Sequence, residues 1–181
     1  MKKALFAMAA LSALSTAATA QVTIYGRLGA SLAQQADAVD NKEMRNDMGS
    51  RLGFRGVEDL GGGLKAVFDI QHRLNVDNGT ATQATRFWDG KSIVGLENEY
   101  GRLSLGREEN AAYTFGQDPA DPWGTYTVAA NGTILNGRIG TTRYSNSVNY
   151  SGKFGAFGVG AQIAEADENP GAGTAGAKRP Y

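Results

Sequence analysis

Residues 50–71 read SRLGFRGVEDLGGGLKAVFDIQ. Two alternating segments, residues 50–59 and the run LKAVFDIQHRL at 64–74, flank a turn with three consecutive glycines, Gly61, Gly62 and Gly63. Successive side chains of a strand point to opposite faces, so Leu52 and Phe54 share one side and Arg51 takes the other. Glycine tolerates the positive φ of a sharp reversal. The stretch therefore predicts a β-hairpin with one apolar face and one polar face that carries arginine.

The same pattern repeats on both sides. In QVTIYGRLGASLA, residues 21–33, one face takes Val22, Ile24, Leu28, Ala30 and Leu32, and the other takes Thr23, Tyr25, Arg27, Gly29 and Ser31. KSIVGLEN (91–98), RLSLGR (102–107), TRYSNSVNYSG (142–152) and AFGVGAQIAEA (156–166) continue it, giving about seven strands. Twenty-five glycines and 41% hydrophobic residues fit β structure. The connections alternate: NEYGR and SGKFGAF are short turns like the first, whereas residues 34–49, 75–90, 108–141 and everything after Ala166 are long and polar. Short turns on one rim and long loops on the other describe a transmembrane β-barrel. A soluble sandwich also alternates. Arginines on the polar side of otherwise apolar strands favour the barrel, where they line a water-filled lumen. The expected placement is Val22, Ile24, Leu52 and Phe54 outward, Arg27 and Arg51 inward.

The first twenty residues carry an address. Lys2 and Lys3 precede an apolar run from Ala4 to Leu14, and Ala18 and Ala20 form an A-x-A exit site, so residues 1–20 read as a cleaved signal peptide and the mature chain starts at Gln21. The run is too short to span a bilayer as a helix. With both lysines gone, 16 of the 18 basic residues remain against 18 acidic ones, a net charge of −2, which gives no basic excess for nucleic acid. No cysteine is present, so thiolate metal sites and thiol chemistry are excluded. The single histidine, His72, sits in a strand-like run as a wall residue without the partners that a metal site or catalytic triad needs. Glu108 and Glu109 are adjacent on a strand pattern and should diverge to opposite sides, which argues against an acid–base enzyme. No cofactor and no metal are expected.

Together these segments resemble the general porins of Gram-negative bacteria, most closely the β-proteobacterial branch. VTIYGRLG looks like that family's opening strand, SRLGFRGVEDLGGGLKAVFDIQ like its second and third strands, SIVGLENEYGRLSLGR like the fourth and fifth, and TRYSNSVNYSG like the sixth. The resemblance implies an all-β fold, an antiparallel transmembrane barrel of porin type assembled as a homotrimer in the outer-membrane lipid. It also implies passive diffusion of small hydrophilic solutes and ions past a third long loop that folds inward. The loop from Glu108 to Gly140 stands in that place, with Glu108, Glu109, Asp118 and Asp121 as its acids, and Arg27, Arg51, Arg138 and Arg143 fall on the basic wall. Opposed charges across a narrow aqueous gap orient dipolar solutes and bias which ions enter. At the start of the fourth strand, where the family commonly carries an arginine, this chain has Gly90, with Arg86 and Lys91 nearby. Residues 21–181 then read as the amino-terminal part of a porin barrel domain, an incomplete meander, because sixteen strands of about 10 residues need roughly 160 before any turn. The end, ADENPGAGTAGAKRPY, reads as a loop. The competing expectation is a small secreted or outer-membrane β-barrel or sandwich with a binding or structural role.

Overall fold

The computed structural model describes residues 21–34, 42–46, 49–122 and 141–165. The expected signal peptide, Arg138 and the tail after Ala166 lie outside these residues. The strands are β1 (Gln21–Arg27), β2 (Ala30–Gln34), β3 (Lys42–Asn46), β4 (Arg51–Gly61), β5 (Leu64–Arg73), β6 (Lys91–Asn98), β7 (Gly101–Glu109), β8 (Arg143–Phe154) and β9 (Phe157–Ala164). One short helical turn, Tyr113–Gln117, follows β7. Seven strands form a single antiparallel sheet in the order β1-β4-β5-β6-β7-β8-β9, an up-and-down meander apart from the β2–β3 ribbon between its first two strands. β3 corrects the reading of residues 34–49 as loop. Lys42–Asn46 pairs with Ala30–Gln34, a strand whose residues other than Met44 are polar, so that periodicity gave no signal and backbone pairing defines it.

Register carries the face pattern across the whole sheet, since directly opposed residues project to the same side. Ile24 stands opposite Phe54 and Phe54 opposite Ile70. Phe68 pairs with Val94, Val94 with Leu105, Leu105 with Val148 and Val148 with Ile163. On the other face Arg27 opposes Arg51, Gln71 opposes Lys91, Ser104 opposes Asn149 and Asn149 opposes Gln162. The turn after β4 uses Gly61, Gly62 and Gly63, all at positive φ, with the Asp59 carboxylate accepting the Gly61 N–H at 2.8 Å. One bulge interrupts β7–β8, where Ser145 and Asn146 together face Arg107 and Asn146 takes φ 51°.

The burial pattern is inverted relative to a soluble domain. Ile24 is 67% exposed, Val94 60% and Ile163 69%, whereas Ser104 and Ser147 are 1% and 2% exposed. Water-soluble folds do not leave a contiguous apolar sheet face of this kind uncovered. No second sheet packs across it among the described residues, which removes the sandwich reading. Two charged residues with outward register stand toward the rims. Glu58 is beside the glycine turn, and Arg107 is tied down by Asp89 at 3.1 Å and by Ser145 Oγ at 3.0 Å. His72 lies on the apolar side opposite Leu52 and stacks on Phe87 with ring centroids 4.3 Å apart, a wall residue as its sequence context suggested.

Placing a charge at the centre of the apolar face is therefore expected to cost far more than on the polar face. Val94→Arg should lower folding stability in lipid vesicles by about 2–4 kcal/mol, and Thr23→Glu, on the polar face opposite Arg55, should leave it nearly unchanged, measured as denaturant midpoints.

Candidate functional site

The polar face carries a row of three arginines made adjacent by register: Arg27 opposes Arg51, which opposes Arg73 on β5. The next row is Tyr25, Gly53, Gln71 and Lys91. Like charges on neighbouring strands repel, so such a row persists only where water and acids stand in front of it. Tyr25 fills the space that Gly53 leaves, donates its hydroxyl proton to Asp69 at 2.5 Å and accepts from Gln71 Nε2 at 3.1 Å. The Arg55 guanidinium lies over its ring, 5.4 Å from the centroid. Gly90 has its own steric reason. A Cβ there would fall 2.4 Å from Gln71 Oε1 and 3.0 Å from Arg73 Nε, so the position where an arginine was expected is the space into which Gln71 and Arg73 extend.

The acids divide differently from the sequence reading. Glu108 and Glu109 belong to β7 rather than to the loop, because Tyr144 and Arg143 of β8 continue the ladder opposite them and extend the strand beyond Arg107. Glu108 is a buried wall residue held by Lys91 Nζ at 2.9 Å, Arg102 at 3.0 Å and Ser104 Oγ at 2.9 Å. Lys91 also reaches Asp69 at 3.8 Å. Glu109 pairs with Arg143 at 2.5 Å, and Arg143 Nε donates to the Gly90 carbonyl at 2.9 Å. Arg143 thus braces the start of β6 against β7 and β8 and stands outside the set of residues around the cavity. The two adjacent glutamates take separate partners, Lys91, Arg102 and Ser104 for Glu108 and Arg143 for Glu109.

From Asn110 the chain crosses the polar face. A cavity of about 310 Å³ lies between loop and wall, bordered by Tyr25, Arg27, Arg51, Gln71, Lys91 and Glu109 from the sheet and by Tyr113 and Asp118 from the loop. Of the site residues read from sequence, Arg27, Arg51, Glu109 and Asp118 come together here. Asp121 is buried next to them, its N–H donating to the Asp118 carbonyl at 3.3 Å, and does not border the cavity. Arg138 is outside the described residues. Sequence reasoning missed Gln71, Tyr113 and the third arginine, Arg73. The signal for Arg73 was present, because Arg51 and Arg73 lie at matching distances from the glycine turn. With cations on the wall and a carboxylate on the loop, the arrangement imposes a transverse field on water and solutes.

Asn110 secures the base of the loop. Its buried amide donates to the Thr141 carbonyl and accepts the Tyr113 N–H at 2.6 Å, and its own N–H donates to the Thr142 carbonyl at 2.8 Å. One side chain thereby ties the outgoing strand, the helical turn and the returning strand.

A family model described as Gram-negative porin matches residues 6–180. The chain is 34% identical, over a 196-position alignment, to an outer membrane porin protein of Bordetella pertussis, covering 93% of this chain and 50% of that protein. It is 32% identical to the major outer membrane protein P.IB of Neisseria sicca, covering 94% of this chain and 49% of that protein. Among solved structures, an anion-selective porin from Comamonas acidovorans superposes with a TM-score of 0.68 at 27% identity, over 81% of this chain and 47% of that one. The chain spans about half the length of the curated relatives it matches.

Removing the Asn110 amide leaves the Tyr113 N–H and the Thr141 carbonyl to find other partners, at about 1–3 kcal/mol each. Asn110→Ala is expected to free the loop without weakening the sheet. Limited proteolysis of the folded protein should cut within residues 110–142 faster than in wild type, while the denaturation midpoint of the strands stays where it was.

Proposed function

This chain belongs to the Gram-negative porin family, and from that premise we propose that it builds the wall and constriction of a passive outer-membrane channel for small hydrophilic solutes and ions. In this reading residues 1–20 direct export, residues 21–181 form the amino-terminal part of the barrel domain, and the channels assemble as homotrimers. No catalytic step is involved. The observation that carries the proposal is the inverted sheet, with apolar side chains outward and Arg27, Arg51 and Arg73 in adjacent register beneath a loop carboxylate, Asp118. A lumen of water keeps such charges solvated, which lipid could not do.

We further propose a preference for anions. The arginine row brings three cations, Arg27, Arg51 and Arg73, into adjacent register on β1, β4 and β5, and Arg27 and Arg51 border the cavity with Lys91. The field at the cavity therefore favours anions entering from the aqueous side. The Comamonas acidovorans structure is that of an anion-selective porin, which accords with this sign.

The test is electrical. Protein extracted from outer membranes and added to a planar bilayer should give stepwise conductance, with a reversal potential of anion sign in a salt gradient. Arg51→Ala should shift that potential toward cations with trimer heat resistance unchanged. The shift should shrink between 0.1 M and 1 M salt, as the screening length falls from about 10 Å to about 3 Å. Absence of steps would refute the channel, and an unaltered potential at low salt would remove Arg51 from the selectivity-setting wall.

A further inference from the structure

On β9, FGVGAQIA, the outward positions are Phe157, Val159, Ala161 and Ile163, and the polar-face positions begin with two glycines, Gly158 and Gly160. They leave a strip of bare backbone inside the wall. Phe115 of the helical turn lies on it. A Cβ at Gly158 would fall 2.8 Å from Phe115 Cε1, and one at Gly160 would fall 2.3 Å from Cε2 and 3.1 Å from the Ala111 Cβ. Any larger residue at Gly160 would have to displace the ring. Glycine inside a strand marks a place where another group approaches the backbone closely, and an aromatic ring of a loop is such a group. Three residues further on, Asp118 borders the cavity that Arg27 and Arg51 line from β1 and β4. The described part of the loop is therefore held at Asn110 on the rim and at Phe115 on β9, and Asp118 borders the cavity that the arginines line.

We propose that Phe115, seated on Gly158 and Gly160, is the positioning residue of the constriction, setting how far the loop reaches across the lumen and where Asp118 stands relative to Arg27 and Arg51. This rests on the channel reading above. The ring is 41% exposed, so roughly half of its apolar surface is removed from water, and losing that burial should shift the docked-to-undocked ratio of the loop by roughly tenfold. Asp118 would then leave the arginine wall for part of the time.

Two arms test it. The chain contains no cysteine, so Phe115→Cys with Gly160→Cys in the folded outer-membrane protein should be bridged by a short bifunctional thiol-reactive reagent, a bis-methanethiosulfonate, each cysteine thiolate displacing one sulfinate. Phe115→Cys with Val159→Cys, whose second position faces outward, should not. Equal yields in the two pairs would overturn the proposal, whatever the protein conducts. In planar bilayers Phe115→Ala, which leaves β9 untouched, and Gly160→Leu, which ejects the ring, should both raise conductance, add closures and move the reversal potential further toward anions. The exchange Phe115→Gly with Gly160→Phe should return these properties toward wild type. Wild-type conductance and potential in both single variants would overturn the proposal while leaving the channel itself intact. If the wild-type protein forms no channel, the porin reading fails and with it the positioning role, even if the cross-link forms.

Discussion

Everything in this structure depends on the requirement that backbone N–H and C=O groups in hydrocarbon find their partners within the protein. Helices could meet it, but among the described residues no helix is long and apolar enough to cross a membrane. The strands meet it by an antiparallel ladder from β1 through β9. Once the ladder exists, register decides what each face presents, because a slip of one residue would carry every outward side chain into the lumen. Three short turns, at Gly62–Gly63, Glu99–Tyr100 and Gly155–Ala156, fix that register along one rim and leave the other free for long excursions.

The same register gathers the charges. Arg27, Arg51 and Arg73 are far apart in sequence and neighbours in space only because their strands pair at those residues. The wall from β6 to β8 carries acids paired with bases. Glu108 takes Lys91 and Arg102, and Glu109 takes Arg143. The described start of the loop lies over the polar face in front of this wall. Its base and its contact with β9 rest on residue types with contrasting virtues: an asparagine that satisfies several backbone groups at once, and glycines that offer no side chain at all.

The faces of the strands were legible in the sequence because alternation is local, so Val22, Ile24, Leu52 and Phe54 against Arg27 and Arg51 needed no knowledge of neighbours. Strand ends were less legible. β7 reaches Glu109 and β3 occupies Lys42–Asn46 because pairing partners across the ladder extend strands through residues with no apolar signature. In the candidate site the faces of Arg27 and Arg51 were legible from alternation, whereas for the loop acids only the stretch was, because nothing local separates Asp118 from Asp121. The site was not legible for Gly90, whose role depends on Gln71 and Arg73 reaching over it from the neighbouring strand, or for the contact of Phe115 with β9, which joins residues 43 and 45 positions apart. Arg143 illustrates the remaining gap. The resemblance put it on the basic wall, but its hydrogen bond to the Gly90 carbonyl and its pair with Glu109 depend on strands far apart in sequence.

The central claim is that alternate residues of β1 and β4 face water inside and lipid outside. Because the chain has no cysteine, single cysteines at positions 22, 23, 24, 27, 51, 52, 54 and 55 can be exposed to a membrane-impermeant, water-soluble thiol reagent in intact outer membranes. The account requires fast labelling at 23, 27, 51 and 55 and slow labelling at 22, 24, 52 and 54. Uniform labelling along each strand, or fast labelling at the second set, would contradict it.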